Sequence, residues 1–223
     1  MADKLPKPAT VELDDDMRIE VRAQHIHAAG VFVSKDDTRS VLTAVCIRRK
    51  GDAIKIQACD SFRLISIESR AEGDGPNETI LLPYKAVKAA LPKKGPVTLC
   101  LNHRTMMLSI TSCDGSGTAI KAIEELYPDV ERLFKLPGKG TIDGTARFGI
   151  NAKFVADAGK ACALALGSKG QDLRFACTGE LKPIQFTNLQ ADDTACVRGL
   201  IMPVHIQERG RPRDANSIGC LSD

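Results

Sequence analysis

The residues that could do chemistry in this chain are few and scattered. Of its four histidines, His25 and His27 alternate near a strand–helix boundary, while His103 and His205 lie far off in sequence. Two imidazoles do not make a metal site, so ordinary structural roles are the expectation for this pair. Asp14, Asp15 and Asp16 form an acidic run of a type that binds metals, but the run falls in what reads as a flexible arm, where solvation explains it. Cys59 stands beside Asp60 and Arg63 and could be a reactive thiol, yet no histidine base is placed near it by sequence. The patterns G-x-x-x-x-G-K-[ST], G-x-G-x-x-G, G-x-S-x-G and H-E-x-x-H are all missing from the sequence. These residues read as a protein that is not an enzyme and that uses no cofactor and no metal.

Composition describes a folded protein with an aliphatic interior. The chain has 223 residues, 43% hydrophobic and 26% charged, which is globular rather than disordered. Length allows one or two domains with real cores. Aromatics are only 4% and Trp is absent, so the core must be aliphatic. A net charge of +3 does not announce nucleic-acid binding by itself. If nucleic acid is the partner, the charge must be gathered on one surface. No early apolar segment resembles a signal peptide, and no apolar run approaches the ~18 residues of a membrane span. The expectation is a cytoplasmic protein with no membrane partner. Eight cysteines, Cys46, Cys59, Cys100, Cys113, Cys162, Cys177, Cys196 and Cys220, form no C-x-x-C pair. Most sit in apolar strand-like runs, where a free thiol is a small core residue, so buried reduced thiols are expected.

The elements that must position these residues recur three times. Residues 1–16 read as a flexible acidic arm, with Pro6 and Pro8 ahead of Glu12 and the aspartates. A strand at 17–22 and a helix over 23–34 then lead to strands at 40–49, 53–59 and 63–69. The first two of these join through Lys50-Gly51-Asp52, a hairpin signal. A second copy starts with a strand at 78–82. Pro83 opens its helix, where a missing N–H costs nothing, and Pro92 stops it after Leu91. Strands follow at 97–102, 106–111 and 117–123. The third copy has a strand at 146–150, Asn151 as N-cap, a helix over 152–166 and strands at 172–177, 183–188 and 196–204. The same element order with starts near 17, 78 and 146 is the mark of repetition. Between the second and third copies, residues 124–144 read as a linker rather than as core.

Five short segments then carry a resemblance. Gln57-Ala58-Cys59-Asp60-Ser61-Phe62-Arg63-Leu64 is similar to the A-T-D-G-[aromatic or His]-R-L segment of bacterial sliding clamps, the DNA polymerase III beta subunit. Leu82-Pro83-Tyr84-Lys85-Ala86-Val87 resembles the I-V-P-R-K-x-V step of that family, and Tyr127-Pro128-Asp129 resembles its F/Y-P-D step. Phe148-Gly149-Ile150-Asn151-Ala152-Lys153-Phe154-Val155 stands where clamps carry F-N-x-x-Y-[LV], and Ile201-Met202-Pro203-Val204-His205-Ile206 where they end in V-M-P-M-R-L. The five occur in family order and cover about residues 17–206. His205 replaces the terminal Arg of the family, and Lys135 stands where clamps place a Pro.

The resemblance implies an α+β fold, the DNA-clamp fold of repeated β-α-β-β-β units, with three units in this chain. The implied division is an arm at 1–16, a two-unit domain at 17–135, a linker at 136–145, a half domain at 146–206 and a tail at 207–223. It implies a DNA sliding clamp or processivity factor that encircles duplex DNA without reading sequence and tethers polymerase and clamp-loader proteins through short hydrophobic peptides. Clamp rings total twelve units, so three per chain points to a homotetramer. Units alternate up and down around such rings, which makes that tetramer dihedral with isologous interfaces. Position by position, Leu42, Cys59, Ser61, Phe62, Arg63, Leu64, Met202, Pro203, Val204, His205 and Ile206 match the lining of the family's peptide pocket. Arg22, His25, Lys85, Lys88, Lys153 and Lys160 match helices that face the DNA. Plain core packing for Leu64, Met202 and Val204, and solvated helix faces for the lysines, are the competing readings. The competing function is a clamp-like module that captures clamp-binding peptides without encircling DNA. The small size would suit a phage, prophage or plasmid replication system.

Overall fold

Alternating apolar residues set the strands, and among the described residues their pairing builds two sheets. A computed structural model describes residues 16–71, 77–134, 148–167, 172–177, 179, 182–188 and 195–204. The first unit consists of β1 (Asp16–Arg22), α1 (Ala23–Ala29), β2 (Ala44–Lys50), β3 (Ala53–Cys59) and β4 (Arg63–Arg70), with a 3₁₀ turn at Ser40–Thr43 before β2. The second has β5 (Glu78–Pro83), α2 (Tyr84–Val87), β6 (Pro96–Asn102), β7 (Met107–Ser112) and β8 (Gly117–Lys121). The third has α3 (Ala152–Leu166), β9 (Leu173–Ala176), β10 (Ile184–Asn188) and β11 (Ala195–Ile201). The α+β reading holds, and the repeated element order holds in full in the first two units; of the leading strand expected at 146–150 in the third, the described residues 148–150 carry only a single bridge at Gly149.

The units exchange their leading strands. β1 does not join the strands of its own unit. It lies antiparallel on β6, giving a four-stranded sheet β1-β6-β7-β8. β5 likewise lies on β2 of the first unit. The second sheet has seven strands in the order β5-β2-β3-β4-β11-β10-β9, so the third unit extends the sheet of the first. The β4–β11 seam is antiparallel and pairs Arg63 with Ile201 at one end and Ser69 with Ala195 at the other.

The period of two in each strand divides the core. Val45 and Ile47 of β2 face the main aliphatic core, shared with Ile26 and Ala29 of α1 and Ala158, Ala161 and Cys162 of α3. Ala44 and Cys46, one residue out of phase, face a smaller cluster with Leu64, Leu81 and Leu200. Two close approaches require glycine: a Cβ at Gly30 would lie 2.1 Å from the Tyr84 ring, and one at Gly199 would lie 2.1 Å from the Phe186 ring.

Several expectations change. Regular helix in α1 ends at Ala29 rather than near residue 34, although Phe32 beyond it is fully buried. α2 is one turn, Tyr84–Val87, and the chain to Leu91 continues as turns that still bury Leu91. The last strand stops at Ile201, because Pro203 cannot donate to a ladder; a single bridge pairs Val204 with Gly149. The segment after β8 is not bare linker: Tyr127 and Val130 are buried in the smaller cluster. Apolar residues at 127, 130 and 134 cover the outer face of the seven-stranded sheet, which would otherwise be wet. Cys113 and Cys196 are exposed, while Cys46, Cys162 and Cys177 are buried. Burial pushes the Cys46 thiol up to about 11 and the Cys162 thiol up to about 12. Cys220, like the acidic arm up to Asp15, the residues 135–147 and the tail from His205 onward, lies outside the described residues.

Candidate functional site

The segment 57–64 forms the turn its composition predicts. Asp60 Oδ1 accepts hydrogen bonds from the amides of Phe62 (3.1 Å) and Arg63 (2.9 Å), and the Asp60 amide donates to the Arg63 carbonyl at 3.1 Å. Ser61 takes a left-handed φ of 76° to close it. Such a turn pushes residue 62 outward, and Phe62 is 61% exposed, high for its side chain.

The β4–β11 seam brings the other expected positions to the same place. The Met202 amide donates to the Phe62 carbonyl at 2.8 Å. Phe62, Met202 and Val204 are all exposed apolar side chains at this end of the seam. Pro203 lies between the last two, half-buried. Leu64 and Leu42 are instead buried, at 4% and 8% exposure, and Cys59 is half-buried with Tyr127 Oη donating to its Sγ at 3.4 Å. Burial raises the Cys59 thiol, so it is held as the neutral thiol rather than as a nucleophile. Leu42 belongs to the 3₁₀ turn, and Arg39 just before it reaches Ser61 Oγ at 3.4 Å. His205 and Ile206 fall outside the described residues.

Arg63 is the hub beneath this surface. Its side chain is 8% exposed and its guanidinium meets Asp60 Oδ2 through both Nε (2.9 Å) and Nη2 (2.7 Å). Nη1 donates to Asp157 Oδ2 of α3 at 2.5 Å. The flat face of the guanidinium lies 5.0 Å from the Phe32 ring centroid and 4.6 Å from that of Phe154. Burial acts to raise the pKa of Asp157, but hydrogen bonds from Lys153 (2.6 Å) and Arg63 outweigh it and the net shift is downward. One arginine thus ties the turn of the first unit to the helix of the third. Lys153 and Asp157 stand at i, i+4 on α3, and nothing in the sequence pointed Asp157 at a residue 94 positions earlier.

A second polar cluster closes the opposite face. Glu131, in the 3₁₀ turn Glu131–Phe134, accepts from Arg198 of β11 at 2.8 Å and from Gln57 of β3 at 2.8 Å, with Lys55 at 3.4 Å. Arg198 stacks 4.3 Å over the Phe134 ring. The crossing segment therefore grips β11 on one side of β4 and β3 on the other. The sequence reading missed Glu131; an acidic residue between buried Tyr127 and Val130 and half-buried Phe134 was the available signal.

The basic positions divide. Arg22, Lys85, Lys88, Lys153 and Lys160 are exposed. Lys85 pairs with exposed Asp37 at 3.3 Å, and Lys153 with Asp157. His25 is corrected: at 1% exposure it sits on the inward side of α1 and presents nothing to solvent. Its neighbour His27 is a connector, and the tautomer follows from its partners. The Pro92 carbonyl can only accept, so His27 Nε2 donates to it at 3.0 Å, leaving Nδ1 to accept from Tyr84 Oη at 3.1 Å.

The architecture matches known structures. The sliding clamp of Bacillus subtilis superposes with a TM-score of 0.65 over 92% of this chain and 67% of its own length, at 15% identity. The DNA polymerase III beta subunit of Thermotoga maritima gives 0.66 over 93% and 70%, at 14% identity, and the clamp of Pseudomonas aeruginosa 0.66 over 84% and 66%, at 15%. The fold is that of the DNA sliding clamps. In sequence the chain is 30% identical over 135 residues to the beta sliding clamp of Micrococcus luteus, across 57% of this chain and 43% of that protein. The chain thus resembles bacterial DNA polymerase III beta subunits in both sequence and fold, while spanning less than half of this curated relative. No protein-family model matches it. Among the described residues, no helix is long and apolar enough to cross a membrane.

Proposed function

We propose that the protein is a sliding clamp that encircles duplex DNA as a homo-oligomeric ring and tethers replication proteins. The observation that supports this best is the clamp fold itself, with repeated units joined edge to edge, together with sequence similarity to a beta sliding clamp. In this reading 17–135 is a two-unit domain and 146–206 a half domain, and four chains supply the twelve units of a ring. Arg22, Lys85, Lys88, Lys153 and Lys160 are the candidates to face the phosphates, a non-specific contact that needs charge and no base readout. His25 leaves that set. Peptides of polymerase and loader proteins would dock on Phe62, Met202, Pro203 and Val204, with Leu42, Cys59, Ser61, Arg63 and Leu64 behind them and His205 and Ile206 as further candidates. Exposed apolar side chains around a braced turn suit an aromatic or aliphatic anchor.

The test is native mass by light scattering across a concentration series, followed by retention on DNA. A species of 4 × 24.0 kDa, 96 kDa, that stays on closed circular DNA and slides off the linearised form supports the ring. A 24.0 kDa species that binds hydrophobic clamp-binding peptides but is not retained on circles supports the non-encircling module instead.

A further inference from the structure

The units obey a rule with one unfilled place. In each four-strand set, the leading strand of one unit adds to the first of the three following strands of another: β1 on β6, and β5 on β2. The third unit supplies β9-β10-β11, with β11 on the seam and β9 at the sheet edge. Among the described residues nothing adds to β9, and Arg174, Phe175 and Ala176 along it are exposed. Among the described residues, the same unit also carries a leading segment with no three-strand set to join. The carbonyl of Gly149, three residues before α3, accepts the Val204 amide at 2.9 Å. In the second unit the carbonyl of Leu81, three residues before α2, accepts the Ile123 amide at 3.2 Å, again from the residues that follow the unit's last strand. Residues 148–150 are therefore set as β5 is set, but without a β2 beside them.

We propose that a second copy of this chain completes the edge. Residues 148–150 of each copy add antiparallel to β9 of the other, so the seven-stranded sheet continues across a twofold axis. The occupant is self-complementary: the bare edge and the strand that fits it lie on one chain, the requirement for an isologous joint. The register is fixed by the two filled joints. In both, the residue just before the helix faces the first residue of the receiving strand, Arg22 opposite Pro96 and Pro83 opposite Ala44. Carried over, Asn151 faces Leu173, Ile150 faces Arg174, Gly149 faces Phe175 and Phe148 faces Ala176. This register sets a glycine opposite an exposed phenylalanine. The adjoining strands already use that match, with Gly199 opposite Phe186 and the Phe186 ring over the place of its missing side chain. Phe175 is 40% exposed, and its ring centroid lies 6.3 Å from that of Phe186. Docking would cover it.

This inference rests on the self-assembling reading above, and its test separates the two. Phe148→Cys and Ala176→Cys replace exposed side chains, so both variants should fold. The two purified variants are mixed, allowed to exchange and oxidised mildly. Disulfide-linked dimer in the mixture at least tenfold above either variant alone is the expected result, since only thiols on facing residues come within reach; the single variants register any linking through exposed Cys113 and Cys196. An oligomeric native mass with no such excess would overturn the β9 joint and leave self-assembly standing. A monomeric mass at every concentration would overturn both.

Discussion

The first unit meets its two neighbours in different ways. With the second unit it trades strands: β1 goes to β6 and β5 comes to β2, and the joint is aliphatic, built from residues such as Ile19, Leu82 and Leu99. With the third unit it shares a seam between finished edges, β4 and β11, and that seam carries charge on both faces. Arg63, Asp60 and Asp157 lie on the helix side, and Glu131, Arg198, Lys55 and Gln57 on the other. Traded strands make two units one cooperative body through backbone ladders and aliphatic packing. An edge-to-edge seam could pair in a slipped register, and buried charge pairs that fit only one alignment select against that.

The contrast can be broken at either joint. The largest effect is expected at the exchanged strands: Leu99→Ala, at a fully buried site, should cost about 2–5 kcal/mol in chemical denaturation and destabilise the first two units together. At the seam, Arg63→Met leaves two carboxylates facing each other and should cost about 3 kcal/mol. Hydrogen exchange should then quicken in β11 while β1 stays protected; equal loss in both strands would erase the distinction between the two joints. Acid acts on the same hub. Because the folded pKa of Asp157 is depressed, its contribution is complete above the unfolded value of about 3.9 and is lost as pH falls through the lower folded value. Arg63→Met should therefore flatten the acid limb of stability against pH. The smallest effect belongs to the outer clasp: Glu131→Gln, half-exposed, should cost about 1 kcal/mol, and a salt titration should narrow the gap.

Local rules were legible in the sequence, and pairings across the chain were not. The turn at residues 60–63 and the Asn151 cap, whose Oδ1 accepts the Lys153 amide at 2.9 Å, follow from side chains bonding to their own backbone. Helix α3 and strand β3 match the expected bounds because their periodicity is clean and their ends are marked. The trading of β1 and β5 left no local trace, since a leading strand looks the same whichever sheet receives it. The grip of Arg63 on Asp157 was invisible for the same reason. His25 misled because its place at the start of α1 says nothing about which side of that short helix meets the sheet. Tyr127 and Val130 were hidden among Glu124, Glu125, Pro128 and Asp129, a polar setting that suggests linker until the apolar face beneath it is known.

The seam also has a history in time. β4 is finished by Arg70, yet its partner β11 begins only at Ala195. At ribosomal speeds that interval lasts on the order of ten seconds. Throughout it the nascent chain displays an open apolar strand edge carrying Leu64, Ile65 and Ile67, ready to pair with any passing copy. Among the described strands β11, which closes the sheet, is the last one made, so the first two units must either fold around a provisional edge or be shielded until the third arrives. For a sheet joined across a seam of two edges, the order of synthesis is part of the specificity problem that the charges at Arg63 and Glu131 help to solve.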